Sequence, residues 1–251
     1  MKDSAKVGGD EEFKKRNLKI IKKMNNDKEF VKISRKWFDK AYSYEYLYHF
    51  TWLGRPIIQF PNDLMVLQEL IWETKPDLII ETGIARGGSL IFYASMLQLI
   101  GKGKVVGVDV DIRKHNRIEI EKHSMFKRIH MIESSSTEKE TIIEISKFTK
   151  NKKNIMVVLD SNHTHEHVLK ELELYSKFVK KGNYLIVFDT MIDDMPNKMF
   201  KNRPWGKENN PKTAVNEFLK KNKNFKMDKE NNKKLMITST PDGFLKCIKL
   251  N

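Results

Sequence analysis

From Pro76 onward the chain repeats one unit, a short apolar run followed by a stretch long enough for a helix, and few folds accommodate that alternation. Five runs stand out, over residues 78–81, 105–109, 129–132, 155–160 and 184–189. Strands of a parallel sheet are buried on both faces and read as continuous apolar runs, and the segments between these five suffice for right-handed crossovers. The expected fold is therefore α/β, a doubly wound, mostly parallel, Rossmann-like sheet. Past the fifth run the rhythm changes. Residues 213–220 carry a helical pattern, and 234–238 and 244–250 read as strands joined through Pro241-Asp242-Gly243, a turn signal. The expectation becomes seven strands with an antiparallel hairpin at the C-terminal edge.

The residues before the sheet divide in two. Up to about residue 40 the chain is highly charged, with Phe13, Leu18, Ile20, Ile21 and Met24 spaced as a loose amphipathic helix. An aromatic segment follows, from Trp37 to Phe60, holding Tyr42, Tyr44, Tyr46, Tyr48, Phe50 and Trp52. Pro61-Asn62-Asp63 then opens a helical pattern through Leu64, Leu67, Leu70 and Ile71. Residues 1–60 are read as a helical extension and aromatic cap, and 61–251 as the sheet domain. The aromatics suit a lid, a pocket wall, plain packing of the cap, or a subunit interface, and a homo-oligomer is expected.

Composition narrows the class. The longest apolar runs fall far short of the roughly 20 residues a membrane helix needs. Met1 to Asp10 is charged and Gly-rich without an apolar core, unlike a secretory leader, so a cytoplasmic location is expected. The single cysteine, Cys247, excludes an internal disulfide framework and reads as a buried strand residue. The net charge of +14 comes mostly from scattered Lys, so no specific nucleic-acid partner is expected, whereas peripheral contact with an anionic membrane or glycolipid suits it.

The strand ends carry the chemistry. Glu81, Asp109, Asp160 and Asp189 close four of the runs and Glu133 follows the third, and in open α/β sheets these ends form the ligand crevice. The first turn reads Glu81-Thr82-Gly83-Ile84-Ala85-Arg86-Gly87-Gly88-Ser89, where glycines let backbone approach a ligand and a helix N-terminus follows. Ala85 stands where a dinucleotide fingerprint needs glycine, and Glu81 would repel a pyrophosphate. A cofactor without phosphates, S-adenosylmethionine, fits better. Glu81 would face its cationic methionine portion and Asp109 its ribose hydroxyls, with Gly83, Arg86, Gly87, Gly88, Ser89, Ser134 and Asp160 completing the contacts. Asp160 and Asp189, on adjacent strand ends, can share one hard cation such as Mg2+. Asp160 and His163 are the expected catalytic pair, His163 as general base. A zinc cluster of His163, His165 and His167 is the rival reading. Helical spacing lets 163 and 167 face each other but turns 165 away, so His165 and His167 are expected as cap or surface residues.

These residues resemble the cephalosporin hydroxylase / rhamnosyl O-methyltransferase family, class I methyltransferases related to macrolide-sugar O-methyltransferases. The resemblance is carried by FTWLGRPIIQFPND (Phe50 to Asp63), ETGIARGGS (Glu81 to Ser89), VGVDVD (Val106 to Asp111), DSNHTHEHV (Asp160 to Val168), Asp189-Thr190 and PWGKENNPKTAVNEFL (Pro204 to Leu219). It implies S-adenosylmethionine on the glycine turn and Asp109, magnesium on Asp160 and Asp189, and a histidine base at His163. The implied acceptor is a hydroxyl of a sugar in a polysaccharide, glycolipid or glycosylated metabolite. The family usually has a second acid where Phe188 stands, and the expectation is that either Asp193 or Asp194 substitutes from the following loop or metal affinity is lower. The rival functions are a nicotinamide-dependent oxidoreductase and a degenerate, non-catalytic binding protein.

Overall fold

The computed structural model describes residues 9–249. Met1 to Gly8, part of the segment read as unlike a secretory leader, and Leu250, the last residue of the expected final strand, lie outside the described residues.

The amphipathic pattern near the start is helix α1 (Asp10–Asn26), which buries none of its residues. Asp27 caps α2 (Lys28–Tyr42), which buries Ser34, Phe38 and Ala41. The aromatic segment then makes a short turn and a two-stranded hairpin, β1 (Phe50–Trp52) with β2 (Arg55–Ile57). Leu53 and Gly54, both at positive φ (45° and 86°), form its two-residue connection, the conformation that matches strand twist. Helix α3 (Pro61–Thr74) leads into the sheet.

In chain order the sheet consists of β3 (Leu78–Thr82), α4 (Gly88–Ile100), β4 (Lys104–Asp109), α5 (Lys114–Glu121), β5 (Ile129–Glu133), α6 (Lys139–Thr149), β6 (Ile155–Leu159), α7 (His165–Tyr175) and β7 (Tyr184–Val187). Helix α8 (Pro211–Lys221), β8 (Phe225–Met227), α9 (Lys229–Lys234) and β9 (Phe244–Cys247) follow. Seven strands run in the order β5-β4-β3-β6-β7-β9-β8, with β9 antiparallel to both neighbours. The expected fold class is the one observed.

Alternating side chains serve two cores. Ile79, Val105, Met156, Val158 and Ile186 pack beneath α3, α4 and α5. Ile80, Val106, Val157, Leu185 and Val187 pack against α6, α7 and α8. Each fully buried Ile or Val contributes about 1.5–3 kcal/mol, so the central strands dominate stability and α1 adds little. A third cluster joins Phe38 of α2, Leu47 and Phe60 to Met191, Ile192, Met195 and Phe200 of the segment after β7.

The edge hairpin needs a correction. Residues 234–238, expected as a strand, do not pair with β9; its partner is β8, earlier in the chain. Asp228 accepts from the amides of Glu230 and Asn231 and so caps α9, which ends at Lys234, the first residue of the expected strand. The next residues turn inward to a buried carboxylate: Thr238 Oγ1, Ser239 N and Ser239 Oγ all donate to Asp63. Cys247 is buried in β9, as expected. Among the described residues no helix is long and apolar enough to cross a membrane.

Candidate active site

The strand order reverses between β3 and β6, where crossovers leave in opposite directions and a crevice opens. Gly83 ends β3 here at φ +90°, its amide donating to Val108 O over 2.8 Å. Asp109 shapes the turn: its Oδ2 accepts from Ile84 N (2.8 Å) and Ala85 N (3.2 Å), and its Oδ1 from Asp111 N (3.1 Å). Ala85 is itself left-handed, φ 48°, and Asn116 Nδ2 holds its carbonyl at 3.0 Å.

A cavity of about 580 Å³ opens over this turn. Of the expected cofactor residues, Gly83, Asp109 and Asp160 line it. Arg86, Gly88 and Ser89 border a narrow recess beside it, with Gln59 and Asp160. Three others serve the frame. Glu81 lies buried behind the turn, accepting from Ser89 Oγ at 2.7 Å, and burial pushes its carboxyl up to about 8. Gly87, at φ +80°, leaves no room for a Cβ against the Ile120 side chain. Ser134 Oγ accepts from Thr141 while its amide donates to Asp109 O, and Ser135 and Ser136 line the cavity instead.

Across the crevice stand Asp160, His163 and Asp189, each with one ligand atom within 4.8 Å of the others'. His163 Nε2 lies 3.4 Å from Asp189 Oδ2, and its ring meets the Trp205 ring edge to face at 4.8 Å. Gln59 Nε2 donates to Asp160 Oδ2 at 2.9 Å. Asp189 holds φ 56°, a left-handed conformation that Asp tolerates better than most residues. Burial, then the charges of Asp189, Glu81 and Glu171, raise the Asp160 pKa well above the ordinary range; burial also raises that of Asp189, which His163 opposes. Carboxylates so crowded gain from a shared divalent cation, and the oxygens of Asp160 and Asp189 are the donors a hard one prefers.

Phe188 points away from this group into the core with Ile186 and Phe244. Neither expected substitute reaches the site. Asp193 accepts from Asn210 Nδ2 at 2.9 Å, and Asp194 pairs with Lys212 at 3.0 Å. The histidines do not form a zinc cluster. His165 ties α7 to α8, its Nδ1 2.8 Å from Thr213 Oγ1 and its Nε2 3.1 Å from Glu217 Oε2. His167, expected as a cap or surface residue, instead joins the cavity wall, with Nε2 3.1 Å from Ser136 Oγ, 3.2 Å from Ser161 Oγ and 3.5 Å from buried Glu171.

A second cavity of about 560 Å³ adjoins the first, lined by Glu45, Met199, Phe200 and Arg203 among others. The two share Tyr42, Leu47, Tyr48, His163, Asp189 and Trp205. Tyr42 and Tyr48 come from the aromatic segment read as suiting a pocket wall, whereas Gln59, Trp205 and the serines come from separate loops that no periodic pattern marks.

A doubly wound sheet of this order, a glycine turn answered by an acid on the next strand end, and paired acids across the switch point define a class I methyltransferase. Solved structures of CmcI share the fold: its apo form at TM-score 0.59 and 19% identity, over 80% of this chain and 77% of that one. Its form with magnesium and S-adenosylmethionine gives 0.57 and 18% over the same shares. The chain belongs to the rhamnosyl O-methyltransferase/CmcI family of S-adenosylmethionine-dependent O-methyltransferases, whose model matches residues 44–248. It is 32% identical over 200 residues to a rhamnosyl O-methyltransferase of Mycobacterium tuberculosis, covering 78% of this chain and 77% of that one. Identity to the Mycobacterium leprae protein of that name is 32% over 149 residues, 58% and 62% of the two chains. The nicotinamide reading falls away.

Proposed function

We propose that this enzyme methylates a hydroxyl of a sugar acceptor, with a divalent cation assisting, at the junction of its two cavities. The observation that carries the reading is that His163 and Asp189 belong to the walls of both. One cavity adjoins the glycine turn and Asp109, and the other has aromatic walls.

Bound S-adenosylmethionine would supply the methyl group, and a cation on Asp160 and Asp189 would lower the acceptor hydroxyl's pKa. The chain's residues do the rest. Asp109 keeps about one acceptor site, on Oδ1, for a ribose hydroxyl beyond the three bonds that fix the turn. Gln59 aims Asp160. As bound S-adenosylmethionine would lose its methyl group to the acceptor oxygen, leaving the electron pair on sulfur, His163 Nε2 would take the hydroxyl proton. The edge contact with Trp205 holds that ring beside Asp189. Rhamnosyl acceptors are named for the mycobacterial relatives, which supports a sugar here.

Calorimetric titration with S-adenosylhomocysteine, beside NADH and with or without Mg2+, tests the reading. Binding of S-adenosylhomocysteine but not NADH, strengthened or accompanied by Mg2+ binding, supports it, and methyl incorporation into a glycoside panel completes the test. Absence of S-adenosylhomocysteine binding overturns it.

A further inference from the structure

We infer that the second cavity receives an acidic saccharide and that Arg203 reads its negative charge. The inference rests on the sugar-acceptor reading and names the acceptor's chemical class. Tyr42, Tyr48 and Trp205 contribute rings to the largely polar wall of the cavity, and His163 and Asp189 mark its reactive end. Sugar rings offer apolar faces to such side chains, while polar groups fix orientation.

Arg203 borders the same space. Its guanidinium lies 5.2 Å from the centre of the Trp205 ring, a placement that leaves the planar fork of donors usable. Among the described residues no carboxylate comes within ion-pair distance of it, whereas Arg35 and Arg117 each have two and Arg113 has one. Its charge is felt across the cavity: it favours the ionised forms of Tyr42 and Tyr48, although burial dominates and raises both pKa values. Glu45 and Asp189 also line the cavity, so an anion would be held only near Arg203. A fork stacked on an aromatic and lacking a protein counter-ion suits two oxygens of a uronate carboxylate, or of a sulfate or phosphate ester.

The full chain, loaded with S-adenosylhomocysteine and Mg2+, would be applied to immobilised glycans in matched neutral, uronate, sulfated and phosphorylated sets. Retention of one acidic set, falling at least tenfold in Arg203→Gln and partly recovered in Arg203→Lys, is the expected result; which set is retained identifies the anion. Lys147→Gln, an exposed change in α6, removes the same charge elsewhere and should leave retention intact. Equal retention of neutral and acidic glycans, equal losses in Arg203→Gln and Lys147→Gln, or no retention at all overturns the inference. Loss of homocysteine binding by the unmodified chain would instead overturn the methyltransferase reading beneath it.

Discussion

A Cβ built on Gly83 would lie 2.0 Å from the carbonyl oxygen of Asp160, so the glycine turn and the acidic strand end are fitted against each other across the switch point. Neither backbone can move without the other. Gly83→Ala combines this clash with an unfavourable φ of +90°, and should cost at least about 1–3 kcal/mol. A lowered denaturant midpoint together with weakened homocysteine binding checks this; unchanged values for both would show that the strand ends yield easily.

His163→Ala should lower turnover by about 10²–10⁴, the usual contribution of a positioned base, while homocysteine affinity holds. Single-turnover methyl transfer separates the two effects. Turnover within a few-fold of the unmodified enzyme would remove His163 from proton transfer.

Asp189→Asn should weaken Mg2+ or Mn2+ binding by on the order of tenfold or more, since even groups supporting a metal ligand matter that much. Competition between Mn2+ and Mg2+, followed by spectroscopy of the bound manganese, reads the change directly. Asp193→Asn should leave cation affinity alone, because Asp193 is engaged with Asn210.

His165→Ala should cost about 1 kcal/mol of stability through its lost bonds to Thr213 and Glu217, with turnover per folded molecule unchanged. A thermal midpoint paired with initial rates tests it. Reduced turnover at full stability would give His165 a part in the chemistry.

Burial raises Glu81 from the ordinary carboxyl value of 4.5 to about 8. Between those values the folded chain holds a proton that the unfolded chain has released, so the Glu81 contribution to stability falls as pH rises through that window. Unfolding free energy measured from pH 5 to 8 should slope less steeply downward in Glu81→Gln, whose neutral amide imitates the protonated acid. Identical slopes would show that Glu81 is ionised in the fold.

The central strands were legible because parallel strands bury both faces, leaving continuous apolar runs that end at Glu81, Asp109, Asp160 and Asp189. The edge hairpin was not, since Met236-Ile237-Thr238 has strand-like side chains but serves Asp63, a partner remote in sequence. Pro61-Asn62-Asp63 signalled only a turn and a helix start. His165 lies away from the crevice, though not through the helical spacing invoked for it, since α7 begins at His165 and His163 precedes it. The surroundings of His167 escaped notice: Glu171, one turn further along α7, was a local signal, but Ser136 and Ser161 come from two other strand ends. Trp205 and Gln59 reach the site through tertiary packing, for which the chain carries no period.

Strand β9 lies between β7 and β8 although it follows both in sequence. During synthesis β8 therefore emerges with no neighbour in its own sheet, and β7 presents a bare flank until β9 arrives. The five parallel strands can assemble first, leaving an exposed ladder of unpaired amides and carbonyls that invites association with other nascent chains. Arrival of Phe244 to Cys247 seals both gaps at once, so interruption of translation before that point would release a sticky intermediate rather than a slightly shortened enzyme.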